Sequence, residues 1–339
     1  MSDIRAIFAD QAVACGALGS PFMARLMGLF AKRLVPGNAV TEHLFNWPGE
    51  PAIHRDNAPL RLAGALHALK LSATALEDVY PPQIVSDDAL WEAVSDAIRM
   101  HETSIFLWLS KPPQTNEVRR VAALLPALAI IEARFKRPVE LLELGTSGGL
   151  NLRADRFRLK LPDGAIGPEN ARVILEPEWR GQAPLHHRLP HVIRRAGVDV
   201  APLNPADPDD RLRLLAYLWA DQPDRLERTK AAIETALEKP VETTAEDAGS
   251  WLQRQLSRPS DGILRVVFHT VAWQYFPADT AKQAEEAMAT HRGPLVRFSM
   301  EADGGRGAAL GLTTYPSTDF EPLGRADFHG RWIDWQPQS

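Results

Sequence analysis

Cysteine is nearly absent from this chain. One residue, Cys15, stands among 339, which excludes an intramolecular disulfide and a cysteine-rich metal site. Cys15 falls on the apolar face of the first amphipathic segment, where a core residue belongs. Long apolar runs are also missing. The longest, Val121 to Ile131, is interrupted by Pro126 and is too short to span a bilayer. No signal-peptide pattern follows Met1-Ser2-Asp3, so the expected compartment is the cytoplasm. Charge of one sign never accumulates. Lys and Arg number 38 against 43 Asp and Glu, interspersed, for a net charge of -5. That balance argues against a polyanion-binding surface, so neither nucleic acid nor membrane is an expected partner. No repeat or low-complexity tract occurs. His186, His187 and His191 lie close together, but no acidic ligand stands beside them in sequence. They read as a solvated loop, and no metal is expected.

What is present is ordinary for a soluble globular protein: 45% hydrophobic and 24% charged residues, with 27 prolines that favour rigid loops. The length suggests roughly two domains. Residues 1–112 read as helical. Ile4, Ile7, Phe8, Ala12 and Cys15 recur at helical spacing. Ser20-Pro21 is an N-cap followed by proline at the first helical position. Leu62, Leu66 and Leu69 mark a further helix. Leu90, Val94 and Ile98 mark another that extends toward Trp108. Lys111-Pro112-Pro113 is a stop. Thr115 is the candidate cap of a helix reaching Phe135, kinked at Pro126.

The chain is organised around Val139 to Asp155. Val139 to Leu144 is a short apolar run after Arg137-Pro138 and reads as a buried strand. It ends on Gly145, followed by Thr146, Ser147, Gly148 and Gly149 and a helical-looking Leu150-Asn151-Leu152. Strand, glycine-rich turn and helix is an arrangement that brings a nucleotide-like ligand against backbone N–H groups. Phe157 to Leu161 and Val173 to Leu175 read as a hairpin or short excursion. Ile263 to Phe268 is a second buried strand, and Leu295 to Met300 a third. A helix spans Asp279 to His291, and Ala308–Tyr315 with Arg331–Trp335 could pair as strands. Strand and helix alternate from 139 onward, which implies a parallel sheet with crossover helices. The expected fold class is α/β, Rossmann-like, with a mostly parallel sheet, antiparallel C-terminal strands and a helical N-terminal region. The expected domains are 1–112 and 113–339.

The E-L-G-T-S-G-G segment lacks the G-x-G-x-x-G spacing of dinucleotide-binding folds. It resembles the first motif of class I S-adenosylmethionine-dependent methyltransferases, in which an acid precedes the first glycine by two. That resemblance implies S-adenosylmethionine as cofactor. Glu143 and Gly145 would lie near its methionine end, Ser147, Gly148 and Gly149 would form the turn, and Asn151 would follow. An acid that binds the ribose usually falls about 20 residues after the turn. Here that offset lands on Asp163 in a hairpin turn, so Asp199 is the preferred replacement and Glu176 the other. The chain also resembles, almost end to end, a bacterial family known only as a domain of unknown function. The matching stretches are Gly19-Ser20-Pro21, Gln114-Thr115-Asn116-Glu117, Glu143 to Leu152, Gly197 to Val200, Val267-Phe268-His269 and His329-Gly330-Arg331-Trp332.

Ligands of open α/β sheets sit beyond the carboxyl ends of the strands. His269 is therefore the candidate general base, because imidazole titrates near neutral pH. Gln114, Asn116, Glu117 and Tyr275 are candidate substrate contacts. The function expected is methyl transfer to an undefined small molecule. The alternative is a non-catalytic ligand-binding or interaction protein that keeps the fold. A hydrolase is disfavoured, because Gly145-Thr146-Ser147-Gly148 lacks the G-x-S-x-G spacing. Sequence leaves the methyl acceptor and the oligomeric state open.

Overall fold

The computed structural model describes residues 3–52, 55–182, 188–259 and 262–336. The chain divides into two units, Met1–Thr115 with Asp207–Glu227, and Asn116–Ala206 with Arg228–Ser339. No helix among the described residues is long and apolar enough to cross a membrane.

The first unit is helical. Its elements are α1 (Ile4–Ala17), α2 (Pro21–Arg33), α3 (Ala39–Phe45), α4 (Ala58–Leu71), α5 (Asp87–Met100) and α6 (Glu102–Leu109). The helix expected to continue toward Trp108 is broken at His101, whose non-helical backbone separates α5 from α6. The Ser20 hydroxyl caps α2, accepting from the Met23 amide at 3.2 Å. Phe8 stacks on Phe30 at 5.0 Å, and Trp91 meets Phe30 edge-on at 5.4 Å. Around them Leu26, Met27, Leu62, Leu66, Leu90 and Val94 are buried. Each contributes about 1.5–3 kcal/mol relative to an exposed side chain. The segment Asp207–Glu227 belongs with these helices through side chains that sequence distance conceals. Asp221 accepts from the Ser20 hydroxyl at 2.5 Å and from the Phe22 amide at 2.9 Å. The Tyr217 ring lies where a side chain on Gly64 would sit, with a ring carbon 2.5 Å from the position of an added Cβ. Glycine in mid-helix costs about 1 kcal/mol against alanine, and here it admits an aromatic ring.

The second unit opens with a 3-10 turn at Val118–Arg120, then α7 (Val121–Phe135) and β1 (Val139–Leu144). A 3-10 helix at Leu150–Arg156 follows, in place of the α-helix the sequence suggests. The excursion is a small separate sheet of β2 (Arg158–Leu161), β3 (Gly164–Ile166) and β4 (Ile174–Leu175), in the order β3-β2-β4. Next come β5 (Glu178–Gly181) and β6 (Val192–Asp199). Then the chain passes through α8 (Pro208–Ala216) of the first unit and α9 (Pro223–Glu238). It continues with β7 (Glu242–Ala245), α10 (Ala248–Leu256), β8 (Leu264–Thr270), α11 (Ala278–Ala289), β9 (Leu295–Ala302), β10 (Ala308–Tyr315), β11 (Asp319–Ala326) and β12 (Trp332–Trp335).

The large sheet runs β5-β12-β11-β10-β9-β8-β1-β6-β7 among the described residues. Five neighbours, β7, β6, β1, β8 and β9, are mutually parallel. Their order in the chain gives 3-2-1-4-5, the order of a doubly wound sheet. The fold is thus α/β with a mostly parallel sheet, antiparallel strands at the C-terminus and a helical N-terminal region. Ala308–Tyr315 and Arg331–Trp335 do not pair with each other, because β11 lies between them and is antiparallel to both. All six residues of β1 are buried, two glutamates included. Glu140 stands between Arg194 of β6 and Arg265 of β8, both in register with it. Arg265 Nε donates to Glu140 at 3.0 Å and Arg194 also donates to it.

Candidate functional site

In this order of strands the direction of winding reverses between β1 and β8. A crevice there, beyond the carboxyl ends of the strands, is where such sheets take their ligands. After β1 the chain bends at Gly145, with φ +74°. An added Cβ there would meet the Ala272 Cβ at 2.6 Å, so glycine is required by conformation and by space. The Gly145 and Thr146 amides both donate to the Val198 carbonyl, tying the bend to β6. Ser147 has φ +50°, a left-handed conformation that non-glycine residues rarely adopt. Just beyond β8, Val271 has φ +52°. For a β-branched residue this is a genuine outlier, and such backbone costs of order 1–3 kcal/mol per residue. Two strained residues thus flank the switch point.

Two carboxylates meet the turn. Glu143 is buried at the end of β1 and accepts from the Thr146 hydroxyl at 2.6 Å. Burial pushes its pKa up to about 8. The Thr146 bond opposes this, the nearby Asp199 charge adds to it, and Arg153 and Arg120 oppose it from further off. Arg153 spends its guanidinium on the carbonyls of Gly149, Ala236 and Lys239. Asp199 closes β6, the second strand of the order, and its carboxylate accepts from the Ser147 amide at 2.9 Å and the Ala201 amide at 3.0 Å. Topology therefore brings Glu143, Asp199 and Gly145 to Gly149 to one corner. The Ser147 Oγ and the Asn151 Oδ1 are buried there without a hydrogen-bond partner. Buried polar atoms of this kind call for a water or a ligand.

The remaining candidates have other surroundings. The Asn116 side chain accepts from the Leu150 amide at 2.8 Å and so caps the 3-10 helix after the turn. The Glu117 carboxylate accepts from the Arg119 amide at 3.1 Å, and its carbonyl accepts from Asn151 at 3.4 Å. Both residues are buried. Gln114 is half-buried and belongs to the first unit. Tyr275 is 73% exposed in a 3-10 turn after β8. Gly148 is buried within the turn. His186 and His187 lie outside the described residues. Among the described residues no group of His, Cys, Asp or Glu could hold a metal.

His269, in β8, is fully buried. Its Nδ1 lies 2.7 Å from a Glu301 oxygen, and Arg297 Nε donates to its Nε2 at 2.8 Å. With Nε2 accepting, the proton resides on Nδ1 and is donated to Glu301. Burial holds the imidazole pKa below its ordinary value, against the pull of Glu301 and with the help of Arg297. The same Glu301 oxygen accepts from the Ala272 and Trp273 amides, and Arg297 lies 4.0 Å over the Trp273 ring. His269 thus links β8 and β9 and positions the strained segment after Val271. Acting as a base would require one of its two bonds to open. Sequence reasoning missed Glu301 and Arg297, which are distant in the chain and belong to no recognisable motif.

The fold and the corner define a doubly wound α/β protein with an acid-lined switch point. Over residues 5–335 the chain matches the family described as uncharacterized protein conserved in bacteria (DUF2332), and it belongs to that family. No curated protein matches it.

Proposed function

We propose that the α/β unit binds S-adenosylmethionine at this corner and transfers methyl to a small-molecule acceptor. The observation that carries the reading is Asp199. It closes the strand next to β1 and reaches the Ser147 amide, which supports reading it as the acid absent from the usual offset. The residues suit the group chemically. A buried Glu143 hydrogen-bonded to a threonine would favour a cationic ligand, losing its proton as the cation enters. Asp199 would receive ribose hydroxyls. Ser147 Oγ and Asn151 Oδ1 offer buried polar atoms still without partners. When bound, the sulfonium supplies an electrophilic methyl group. An acceptor already nucleophilic needs only to be held in line, so no proton transfer is assigned to His269.

One observation favours the rival reading, a non-catalytic protein that keeps the fold. Two amides of the turn, Ser147 and Leu150, are already satisfied by Asp199 and Asn116. Recognition in the proposed reading therefore falls to side chains. Titration of the full chain with S-adenosylmethionine decides whether the ligand binds. Binding weakened at least tenfold by Asp199→Asn supports the proposal, at the size expected for a lost hydrogen bond to a charged group. No heat and no thermal shift at millimolar ligand overturns it. Binding without transfer of labelled methyl to any small molecule of a bacterial extract would favour the rival.

A further inference from the structure

The first unit contains a cavity of about 100 Å³. Its wall includes Met23, Leu60, His67, Tyr80, Tyr217 and Trp219. Tyr80 and Tyr217 are buried, and neither hydroxyl has a hydrogen-bond partner. His67 does not serve them, since its Nδ1 lies 3.1 Å from the Ala216 carbonyl. Burial also lowers its pKa to about 4, so the ring is neutral. Two phenols with nothing to bond to, facing an otherwise largely apolar space, are an unfinished arrangement.

Water completes it poorly. The volume equals roughly three waters at about 30 Å³ each, and every buried water wants two to four polar partners. The two phenols, with Thr115 as the one further hydroxyl residue of the lining, supply few of them. One small organic molecule with a single polar end fits better, the volume being below the about 150 Å³ of a cavity known to hold benzene. The local field selects the sign of the polar end. Arg61 and Arg213 both act electrostatically on the Tyr217 hydroxyl. Arg61 has one carboxylate nearby, Asp56 at 3.7 Å. Arg213 donates to the Pro112 carbonyl and lies over the rings of Trp108 and Tyr217. The nearby acid Asp221 keeps its charge, since it accepts from the neutral Ser20 hydroxyl and Phe22 amide, and it acts on His67 rather than on Tyr217. The charges that act on the Tyr217 hydroxyl are the two guanidiniums, so that side of the cavity is positive and the Asp221 side is not.

We infer that this cavity binds a short-chain monocarboxylate of about two to four carbons, its two oxygens accepting from the Tyr80 and Tyr217 hydroxyls and its alkyl end packed on Met23 and Leu60. The site is independent of the methyl-transfer reading, since every residue in it belongs to the helical unit.

The test is a ligand panel on the full chain at matched ionic strength, read by thermal shift and calorimetry. Acetate, propionate and butyrate are compared with propionamide, 1-propanol and benzoate. At least one of the three aliphatic carboxylates is expected to raise Tm at about 10 mM while benzoate does not. Tyr80→Phe and Tyr217→Phe keep the rings and should each weaken that ligand about tenfold or more. Arg213→Gln, at a partly exposed position, should weaken it about threefold, as a distant charge would. The inference is overturned if no carboxylate binds or if propionamide or propanol binds as well. Affinity unchanged in the phenylalanine variants, or in Arg213→Gln, would overturn it too.

Discussion

Two glutamates on one strand meet opposite treatment. Glu140 and Glu143 are both in β1, both buried, and three residues apart. Glu140 lies between two guanidiniums, one from each neighbouring strand. Glu143 has a threonine hydroxyl, and its pKa is pushed up to about 8. The same side chain is a structural rivet at the amino end of the strand and, at the carboxyl end, an acid bonded by a hydroxyl with guanidiniums acting only electrostatically. Burial alone therefore does not mark function here. The informative feature is a buried acid hydrogen-bonded by a hydroxyl instead of a guanidinium, at the end of the sheet where ligands bind.

Breaking the rivet should have the largest effect. Glu140→Ala leaves Arg265, 1% exposed, and Arg194 without their shared carboxylate. A loss of about 3–5 kcal/mol is expected in urea unfolding. Next comes the bend itself. Gly145→Ala imposes a side chain at φ +74° against Ala272 and should cost about 1–3 kcal/mol, measured the same way.

Glu143→Gln should have a smaller effect with the opposite sign at high pH. The folded pKa of Glu143 lies above the ordinary 4.5, so the unfolded chain releases its proton first as pH rises. Stability of the parent should therefore fall between about pH 4.5 and 8, and this contribution should vanish in the glutamine variant. Thermal melts across that range check it, and parallel curves for the two proteins would show that Glu143 carries no raised pKa. The smallest expected effect is that of Asp199→Asn, about 1 kcal/mol, since a neutral oxygen can still accept from the Ser147 amide.

Much of this was legible in the residues. β1 and β8 announce themselves as short apolar runs, and the glycine turn marks the end of the first. The Ser20 cap was equally plain. β7 was not, because Glu242-Thr243-Thr244-Ala245 is an edge strand with little apolar surface to bury. β11 was hidden by Pro322 and Gly324, the latter at φ +121° beside a register shift. Spacing alone could not choose between Asp199 and Glu176. The small sheet of β2, β3 and β4 lies between the turn and β6 and defeats any fixed offset. The clamp on His269 was invisible for a different reason, since Arg297 and Glu301 meet it only through the β8–β9 register. In the same way, Asp207–Glu227 reads as part of the α/β sequence and folds with the helices through Asp221 and Tyr217.

The contrast between the two glutamates comes down to whether Glu143 takes a cation. Calorimetric titration with S-adenosylmethionine at pH 7, in two buffers of different ionisation heat, counts the protons released on binding. The proposal predicts binding with net proton release by the parent chain and none by Glu143→Gln. Absence of binding, or the same proton count in both proteins, would contradict it.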